Sequence, residues 1–161
     1  GWIGDSRAYL WRDQALYLLT RDHSPVEALK AQGMLSALDA RQHPRRHVIS
    51  RAVGLGDCPP ETVPVISGHL AAGEMLLLCS DGLNDSLSGS DMAALLSAGA
   101  DLNTLCRTLI EAALNAGGSD NVTVVLARAG QNGPSPDLNL QAVQVEREGG
   151  DIEYFPPLSQ G

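Results

Sequence analysis

Two apolar runs, each next to an aspartate, constrain the fold of this chain more than any other feature. The run at residues 75–79 reads MLLLC and is followed by SDG, with its charge at Asp81. The run at residues 122–127 reads VTVVLA and is preceded by SDN, with its charge at Asp120. Short runs rich in Val and Leu are typical of buried strands. A charged residue at the end of such a strand is either a turn residue or a metal ligand, and the pattern alone leaves both open.

The segment between these two runs predicts a pair of helices. Apolar residues recur at helical spacing in DMAALLSA and again from residue 102 onward. Because the helices lead the chain away and back, the second strand begins near the level at which the first strand ends. If the two strands are antiparallel neighbours, Asp81 and Asp120 lie at one edge of the sheet. The predicted helix caps are Ser88 or Ser90 for the first helix and Asp101 for the second.

An acidic edge of this kind suits a hard cation. Two carboxylates at one edge repel each other unless a cation or a proton lies between them. Oxygen ligands, without the Cys and His spacing of a zinc site, favour Mg²⁺ or Mn²⁺. Asp5, in the motif GDSR, begins the first predicted hairpin and could reach the same edge. Taken singly, each of these aspartates is more typical of a turn, and it is their shared setting beside Gly or Ser that favours a metal site.

Length and charge limit the classes of protein to which the chain can belong. Its 161 residues suffice for one domain and a tail, and its net charge of -8 disfavours a nucleic-acid surface. No apolar run approaches the roughly 20 residues that span a bilayer. Three cysteines without paired spacing, Cys58, Cys79 and Cys106, disfavour a disulfide framework. We therefore expect a cytoplasmic protein with neither nucleic-acid nor membrane partners.

The first half of the chain predicts a hairpin, a helical insertion and two further strands. AYLW and ALYLL flank the connection RDQ, as in a β-hairpin. Residues 24–46 carry two short, weakly anchored helical patterns, capped by Ser24 and Ser36, and we interpret them as a flap. HVISRAVG and ETVPVISGHL contain enough Val and Ile to be strands, and Pro64 makes the second an edge strand.

The end of the chain, residues 130–161, is rich in Gly, Pro and Gln and shows no sustained period. This composition predicts a disordered tail. The alternative is that DIEYFPPL, within this tail, is a short docking segment.

Five short motifs together resemble a known enzyme family. They are GDSRAYL, LTRDHS, RAVG, LLLCSDGLND and GGSDNVTVVLA. Their order and spacing resemble those of the PPM family, the type 2C metal-dependent serine/threonine protein phosphatases, and of its compact bacterial members above all. The resemblance covers residues 1–129, which would be the C-terminal part of a phosphatase domain.

The resemblance implies an α+β fold, a partial αββα sandwich of antiparallel sheets flanked by helices. It implies hydrolysis of phosphoserine and phosphothreonine on proteins phosphorylated by a Ser/Thr kinase, with a metal-activated water as nucleophile and no catalytic side chain. It also implies that Asp81 and Asp120 bind one Mg²⁺ or Mn²⁺ ion of a dinuclear pair and that Asp5 binds a third, weaker one. Residues 24–46 match the flap beside the active site.

The chain departs from the family pattern at its N-terminal side. The acidic residue near an NED-like motif and the DG motif that bridges the two central ions have no counterpart in this sequence. Two divalent ions held close together without a bridging carboxylate would repel each other strongly. We therefore expect an incomplete sandwich with weak or no activity alone. The alternative is a noncatalytic regulatory module, a pseudo-phosphatase that retains the fold.

Three further features have two interpretations each. His23 is either an acid/base group or, as we favour, a loop histidine. HPRRH, at residues 43–47, is either a solvated loop or a patch that meets an acidic or phosphorylated substrate. Arg7 is structural or functional on equal grounds, and Cys79 is expected to be a buried strand residue because the residues around it are acidic.

Overall fold

A computed structural model describes residues 1–56 and 59–130 together with two short strands near the end of the chain. Four strands and five helices form the main body, and a single 3₁₀ turn spans Pro60–Thr62. The strands are β1 (Arg7–Arg12), β2 (Ala15–Leu18), β3 (Met75–Cys79), β4 (Val124–Arg128), β5 (Gln144–Glu146) and β6 (Ile152–Tyr154). The helices are α1 (Pro25–Ala31), α2 (Ala37–Gln42), α3 (Asp81–Ser86), α4 (Gly89–Leu96) and α5 (Leu102–Asn115).

The main sheet has four strands in the order β2-β1-β3-β4, and every neighbouring pair is antiparallel. The two apolar runs of the sequence form its neighbours β3 and β4, with Cys79 opposite Val124. The α+β class and the adjacency of the two runs are thus confirmed. The SDG and SDN motifs consequently meet at one edge of the sheet.

The predicted hairpin is present, but its turn is shorter than expected. Arg12 pairs with Ala15, so only Asp13 and Gln14 form the connection. Both residues have positive φ angles, 50° and 62°. Positive φ at both central positions lets a two-residue turn follow the right-handed twist of its strands. The prediction of a three-residue RDQ turn is wrong because Arg12 belongs to β1.

Helices α4 and α5 cover one face of the main sheet. Tyr9, Met75 and Leu77 lie on this face and pack with the buried side of α5. Burying a large apolar side chain stabilises a fold by about 1.5–3 kcal/mol, so this packed face contains the main core. The predicted caps Ser88 and Asp101 are confirmed. The fully buried or nearly buried residues of α5 are Leu105, Leu109 and Ala113.

The opposite face of the sheet is only partly covered. Leu10 and Tyr17 lie there and are buried beneath Ile66 and Leu70. Leu78 and its cross-strand partner Val125 are 41% and 53% exposed. Alternate side chains of a strand point to opposite faces. The expectation that both apolar runs are buried strands therefore holds for one face and is wrong for the other.

Two predicted strands are absent from the described part of the chain. Residues 47–54 and 61–70 form no strand. The 3₁₀ turn overlaps the start of the second segment. The backbone carbonyl of Pro64 accepts a hydrogen bond from the Trp2 N–H at 3.3 Å. Val and Ile favour strands only where a neighbouring strand supplies the pairing, and Pro64 itself has no N–H to donate.

The helical insertion at residues 24–46 agrees with its prediction. Ser24 caps α1 and Ser36 caps α2, each through its side-chain oxygen. Val26 is the buried residue of α1, and α2 buries none. Weak burial of this kind fits the interpretation of these helices as a flap.

Part of the predicted tail lies outside the described residues. Strands β5 and β6 pair antiparallel, while residues 131–143, 147–151 and 155–161, and with them much of DIEYFPPL, are not described. The disordered tail stays a prediction. Cys79 and Cys106 are free, whereas Cys58 also lies outside the described residues. Among the described residues no helix is long and apolar enough to cross a membrane.

Candidate metal centre

Ser80 joins the SDG and SDN motifs directly. Its backbone N–H donates to the Thr123 carbonyl at 3.1 Å. Its hydroxyl donates to the Asn121 carbonyl at 2.9 Å and accepts from the Thr123 N–H at 2.9 Å. Three hydrogen bonds from one residue thus extend the pairing of β3 and β4 beyond the last ladder position. We call this edge of the sheet, with Asp81 and Asp120 beside it, the acidic rim.

Gly82 lies against the backbone of the SDN motif. A Cβ at this position would stand 2.5 Å from the Asn121 carbonyl oxygen and 3.1 Å from its carbon. No side chain fits there without moving the backbone. Gly82 is required because the two motifs touch at this point.

Asp81 and Asp120 occupy different settings at the acidic rim. Asp81 is the first residue of α3, is half-buried, and its Oδ1 accepts from the Gly82 N–H at 2.9 Å. Asp120 is exposed, and its Oδ1 accepts from the Asn121 N–H at 2.6 Å. These local hydrogen bonds are those of turn residues. The structure brings both residues to one edge, and their role as ligands stays a prediction.

The carboxyl of Asp5 is influenced by the charges of the acidic rim. Burial raises the pKa of its carboxyl, and the negative charge of Asp81 raises it further. Smaller contributions in the same direction come from Asp22 and Asp85. A pKa raised by neighbouring carboxylates shows that their negative charges act on one another. The direction of this shift agrees with a position of Asp5 near Asp81, and the role of Asp5 as a ligand stays a prediction.

Sequence reasoning missed Asp85 as a member of the acidic rim. Burial raises the pKa of Asp85, the charge of His47 opposes this rise, and Asp81 adds to it. Asp85 follows Asp81 by four residues in α3, and residues four apart share one face of a helix. The spacing inside SDGLND was therefore a signal that could have identified it.

Arg7 forms a bidentate ion pair with Asp22. Its Nε and Nη2 donate to the two carboxylate oxygens of Asp22 at 2.9 and 2.8 Å, and its Nη1 donates to the Tyr9 hydroxyl at 3.3 Å. Burial opposes the charge of Arg7, yet the hydrogen bonds to Asp22 raise its pKa above the ordinary value. Arg7 therefore braces the hairpin against the LTRDHS segment, which favours its structural interpretation.

His23 fastens the start of the chain. Its Nδ1 accepts from the Gly4 N–H at 3.1 Å, and its backbone N–H donates to the Gly4 carbonyl at 2.9 Å. Trp2 stacks on the imidazole with ring centroids 6.4 Å apart. Burial and the charge of Arg51 lower the pKa of His23. These contacts favour the interpretation of His23 as a loop histidine that orders the segment before Asp5.

Cys79 has the character of a core residue. Its thiol is buried, and burial raises its pKa to about 12. Thiolates are reactive where cations lower the pKa, and here the lowering effect of Arg7 is outweighed by burial. The expectation of a buried strand cysteine is confirmed.

The described residues do not by themselves form a closed metal cage. Within residues 1–56 and 59–130, no three His, Cys, Asp or Glu side chains are arranged so that they could hold a metal ion. The acidic rim is thus a set of carboxylates at one edge, and further ligands would be needed to complete a metal site.

Comparison with known proteins identifies the family. A family model described as Stage II sporulation protein E (SpoIIE) matches residues 13–130. The protein phosphatase PhpP of Streptococcus pneumoniae is 40% identical over 125 residues, which are 77% of this chain and 50% of that protein. The serine/threonine protein phosphatase PstP of Mycobacterium tuberculosis is 40% identical over 126 residues, 78% of this chain and 24% of that protein. The chain belongs to the PPM family of serine/threonine phosphatases.

Solved PPM structures agree with this assignment. The crystal structure of M. tuberculosis PstP matches with a TM-score of 0.72 and 37% identity, covering 80% of this chain and 53% of that one. The PstP catalytic domain in complex with two manganese ions matches with a TM-score of 0.68 and 35% identity, covering 80% and 52%. The chain spans about half the length of these solved structures and of PhpP. The partial PPM fold is therefore confirmed.

Proposed function

We propose that this chain contributes the SDG and SDN part of the active site of a protein serine/threonine phosphatase. The substrates would be proteins carrying phosphoserine or phosphothreonine, placed there by a Ser/Thr kinase in the cytoplasm. The observation that carries the proposal is the direct joining of the two motifs through Ser80, in a chain 40% identical to PhpP. Hydrogen bonds to the backbone hold the acidic rim in place, so side chains on it can serve as ligands at fixed positions.

The residues of the acidic rim fit a hard divalent cation. Asp5 and Asp81 carry like charges that raise the pKa of Asp5, and a cation beside them would relieve this repulsion. Carboxylate oxygens suit Mg²⁺ and Mn²⁺. PstP binds manganese in a solved structure, which supports Mn²⁺ here and makes Mg²⁺ a reasonable alternative. When bound, such an ion supplies an activated water and neutralises phosphate charge.

The residues at the acidic rim and beside it have different roles in that proposal. Asp81 and Asp120 would hold one ion, and Asp5 together with Asp81 would hold a further, weaker one. Ser80 orients the backbone that carries Asp81 and Asp120. The ion pair of Arg7 and Asp22 keeps the hairpin, and with it Asp5, beside the rim.

The 161-residue chain alone should turn over substrate weakly or not at all. Asp81 and Asp120 offer too few carboxylates to hold two divalent ions close together against their mutual repulsion. The remaining ligands would come from the other half of a complete PPM domain, since the chain spans about half of its solved relatives.

Manganese binding and turnover test these statements separately. The free Mn²⁺ signal in electron paramagnetic resonance measures ion binding to the 161-residue chain. Replacing Asp81→Asn should weaken binding at least about tenfold, equivalent to roughly 1.4 kcal/mol. Asp13→Asn is the matched control because Asp13 lies in the hairpin turn, at the far end of β1, and Asn tolerates its positive φ. Equal effects of the two substitutions would contradict the ligand role of Asp81.

A Mn²⁺-dependent assay with a phosphothreonine peptide tests the chemistry. We expect little turnover by this chain, and turnover by a protein in which it is joined to the other half of the domain. Turnover by the chain alone comparable with that of PhpP would contradict the expectation of weak activity. Peptide binding without turnover by the joined protein would instead support a noncatalytic module.

A further inference from the structure

The strand pair near the end of the chain lies beside the main sheet. β5 and β6 pair antiparallel, with Val145 opposite Glu153. Cα atoms of β5 lie within 8 Å of Cα atoms of β2, although the two strands share no ladder. β6 falls within DIEYFPPL, the segment whose docking interpretation the sequence leaves open. The strand pair and β2 are therefore neighbours in the fold.

β2 is the outermost strand of the main sheet and has a free edge. β1 pairs with it on one side, and among the described residues no strand extends the sheet on the other. The Leu19 N–H donates to the Ala8 carbonyl at 2.8 Å, and hydrogen-bonded pairs alternate with non-bonded pairs along an antiparallel ladder. The backbone groups of Leu16 and Leu18 consequently point away from β1, toward the free edge.

The other sides of β2 are already occupied. The side chains of Leu16 and Leu18 pack with the main core, on the face that meets α4 and α5. Tyr17 is buried on the opposite face beneath Ile66 and Leu70. The free edge is thus the side from which β5 can approach β2.

The free edge has the composition of a strand that pairs readily with other chains. Residues 15–20 read ALYLLT and contain no charge, proline or glycine. An exposed edge of this kind invites pairing with another copy, and proteins usually protect it with charges or cover it. β5 and β6 contain Glu146 and Glu153, so a cover made of these strands brings charge to an edge that has none.

The strand pair, in turn, needs support from a neighbour. β5 and β6 have three residues each. An isolated two-stranded hairpin is at best marginally stable in water. Contact with β2 supplies this support, so each of the two elements provides what the other lacks.

We propose that the strand pair β5–β6 docks at the free edge of β2 in the same chain and prevents this edge from pairing with other chains. The occupant consists of Gln144–Glu146 and Ile152–Tyr154, and the docking site is the backbone edge at Leu16 and Leu18. The inference involves no metal ligand and is independent of the proposed function.

Hydrogen exchange of single backbone amides, followed by NMR in the 161-residue chain, tests the docking. The strand variant combines Gln144→Pro with Val145→Pro. Because bonded and non-bonded pairs alternate, one of these two prolines removes a ladder donor of β5. The control variant combines Ser159→Pro with Gln160→Pro, which adds two prolines outside both strands and leaves the net charge unchanged.

The expected response is specific to alternate residues of β2. In the strand variant the amides of Leu16 and Leu18 should exchange at least about tenfold faster than in the wild type. The amide of Tyr17 should keep its rate because Tyr17 pairs with Leu10 of β1. Light scattering should show association that rises with protein concentration. The control variant should behave as the wild type in both measurements.

A second variant guards against a general loss of folding. Ile152→Gly weakens β6 without adding a proline and should change the exchange of Leu16 and Leu18 in the same direction. Thermal unfolding of each variant verifies that the main sheet is retained.

Four results would overturn the proposal. The first is an unchanged exchange rate at Leu16 and Leu18 in the strand variant, and the second is an equal change in the control variant. The third is protection of these amides that falls when the wild type is diluted, since another copy would then supply the strand pair. The fourth is faster exchange without any association, which would contradict the protective role.

Discussion

The two faces of the main sheet differ sharply although the same strands build both. Leu77 is fully buried against the helices, while its neighbour Leu78 is 41% exposed on the other face. The packed face meets α4 and α5, whereas the open face is covered by the segment around Ile66 and Leu70 at one side only. The apolar character of a strand therefore does not tell which of its faces is covered in this chain.

The acidic rim lies where β3 ends and β4 begins, so it borders both faces of the sheet. Its geometry does not depend on the packing of either face alone. Ser80 fixes the rim through backbone groups, so the motifs stay joined where side-chain packing ends. Leu78 and Val125 form an apolar row across β3 and β4 on the open face.

The largest effect is expected on the packed face. Leu77→Ala removes a fully buried side chain and leaves a cavity, which should cost about 2–5 kcal/mol. The free energy of unfolding in guanidinium chloride measures this loss. Leu78→Ala is the matched control on the same strand and should cost much less. Similar losses in the two variants would show that the faces are equally packed in solution.

The strands and helices of the packed face could be predicted from sequence because their patterns are local. Ser88 and Asp101 precede apolar residues at helical spacing, and both caps are present. The hairpin was also visible, although its turn depended on the positive φ of Asp13 and Gln14, which no glycine indicated. Local propensity thus sufficed where each element carries its own signal.

The open side and part of the acidic rim could not be predicted in the same way. Residues 47–54 and 61–70 have strand-like composition, but a strand exists only where a partner pairs with it. The spacing of Asp81 and Asp85 could have placed Asp85 on the same face of α3, but its pairing with His47 joins segments far apart in sequence. Tertiary contacts of this kind leave no periodic pattern.

The rim, where the two faces end, should show the second largest effect. Gly82→Ala places a methyl group 2.5 Å from the Asn121 carbonyl oxygen and must push the SDG and SDN motifs apart. We expect a loss of stability of about 1–3 kcal/mol, with weaker Mn²⁺ binding as the motifs separate. Gly130→Ala is the control, since among the described residues no atom beyond its chain neighbours lies within 4 Å of the place its methyl group would take. Unchanged stability and ion binding in Gly82→Ala would contradict the contact between the motifs.

A smaller effect should distinguish the loops from the packed face by their response to pH. On the packed face, burial raises the pKa of Tyr9 and of Cys79 to about 12, so neither group titrates between pH 5 and 8. Burial and Arg51 lower the pKa of His23, so the folded chain binds its proton less tightly than the unfolded chain. The stability from neutral His23 is therefore present above its ordinary pKa, about 6.5, and is lost as pH falls through the lowered value.

Thermal unfolding at pH 7.5 and pH 5.5 measures this difference. The contribution of His23 should be less than about 1 kcal/mol, since the imidazole is partly exposed and solvent screens its charge. His23→Asn keeps an acceptor for the Gly4 N–H but does not titrate, so other groups contribute equally in both proteins. The wild type should lose more stability on acidification than this variant. An equal loss would show that the proton does not act through His23.

The smallest effect is expected on the open face, and it sharpens the comparison most. Leu78→Thr keeps strand propensity and replaces an exposed apolar side chain, so its cost should stay within about 0.5 kcal/mol in the 161-residue chain. Light scattering should fall at the same time because the apolar row loses one member. Leu77→Thr, one residue away on the packed face, should lower the free energy of unfolding far more. A cost above about 2 kcal/mol for Leu78→Thr would mean that the open face is covered in solution, with a second copy of the chain as the first partner to test by its concentration dependence.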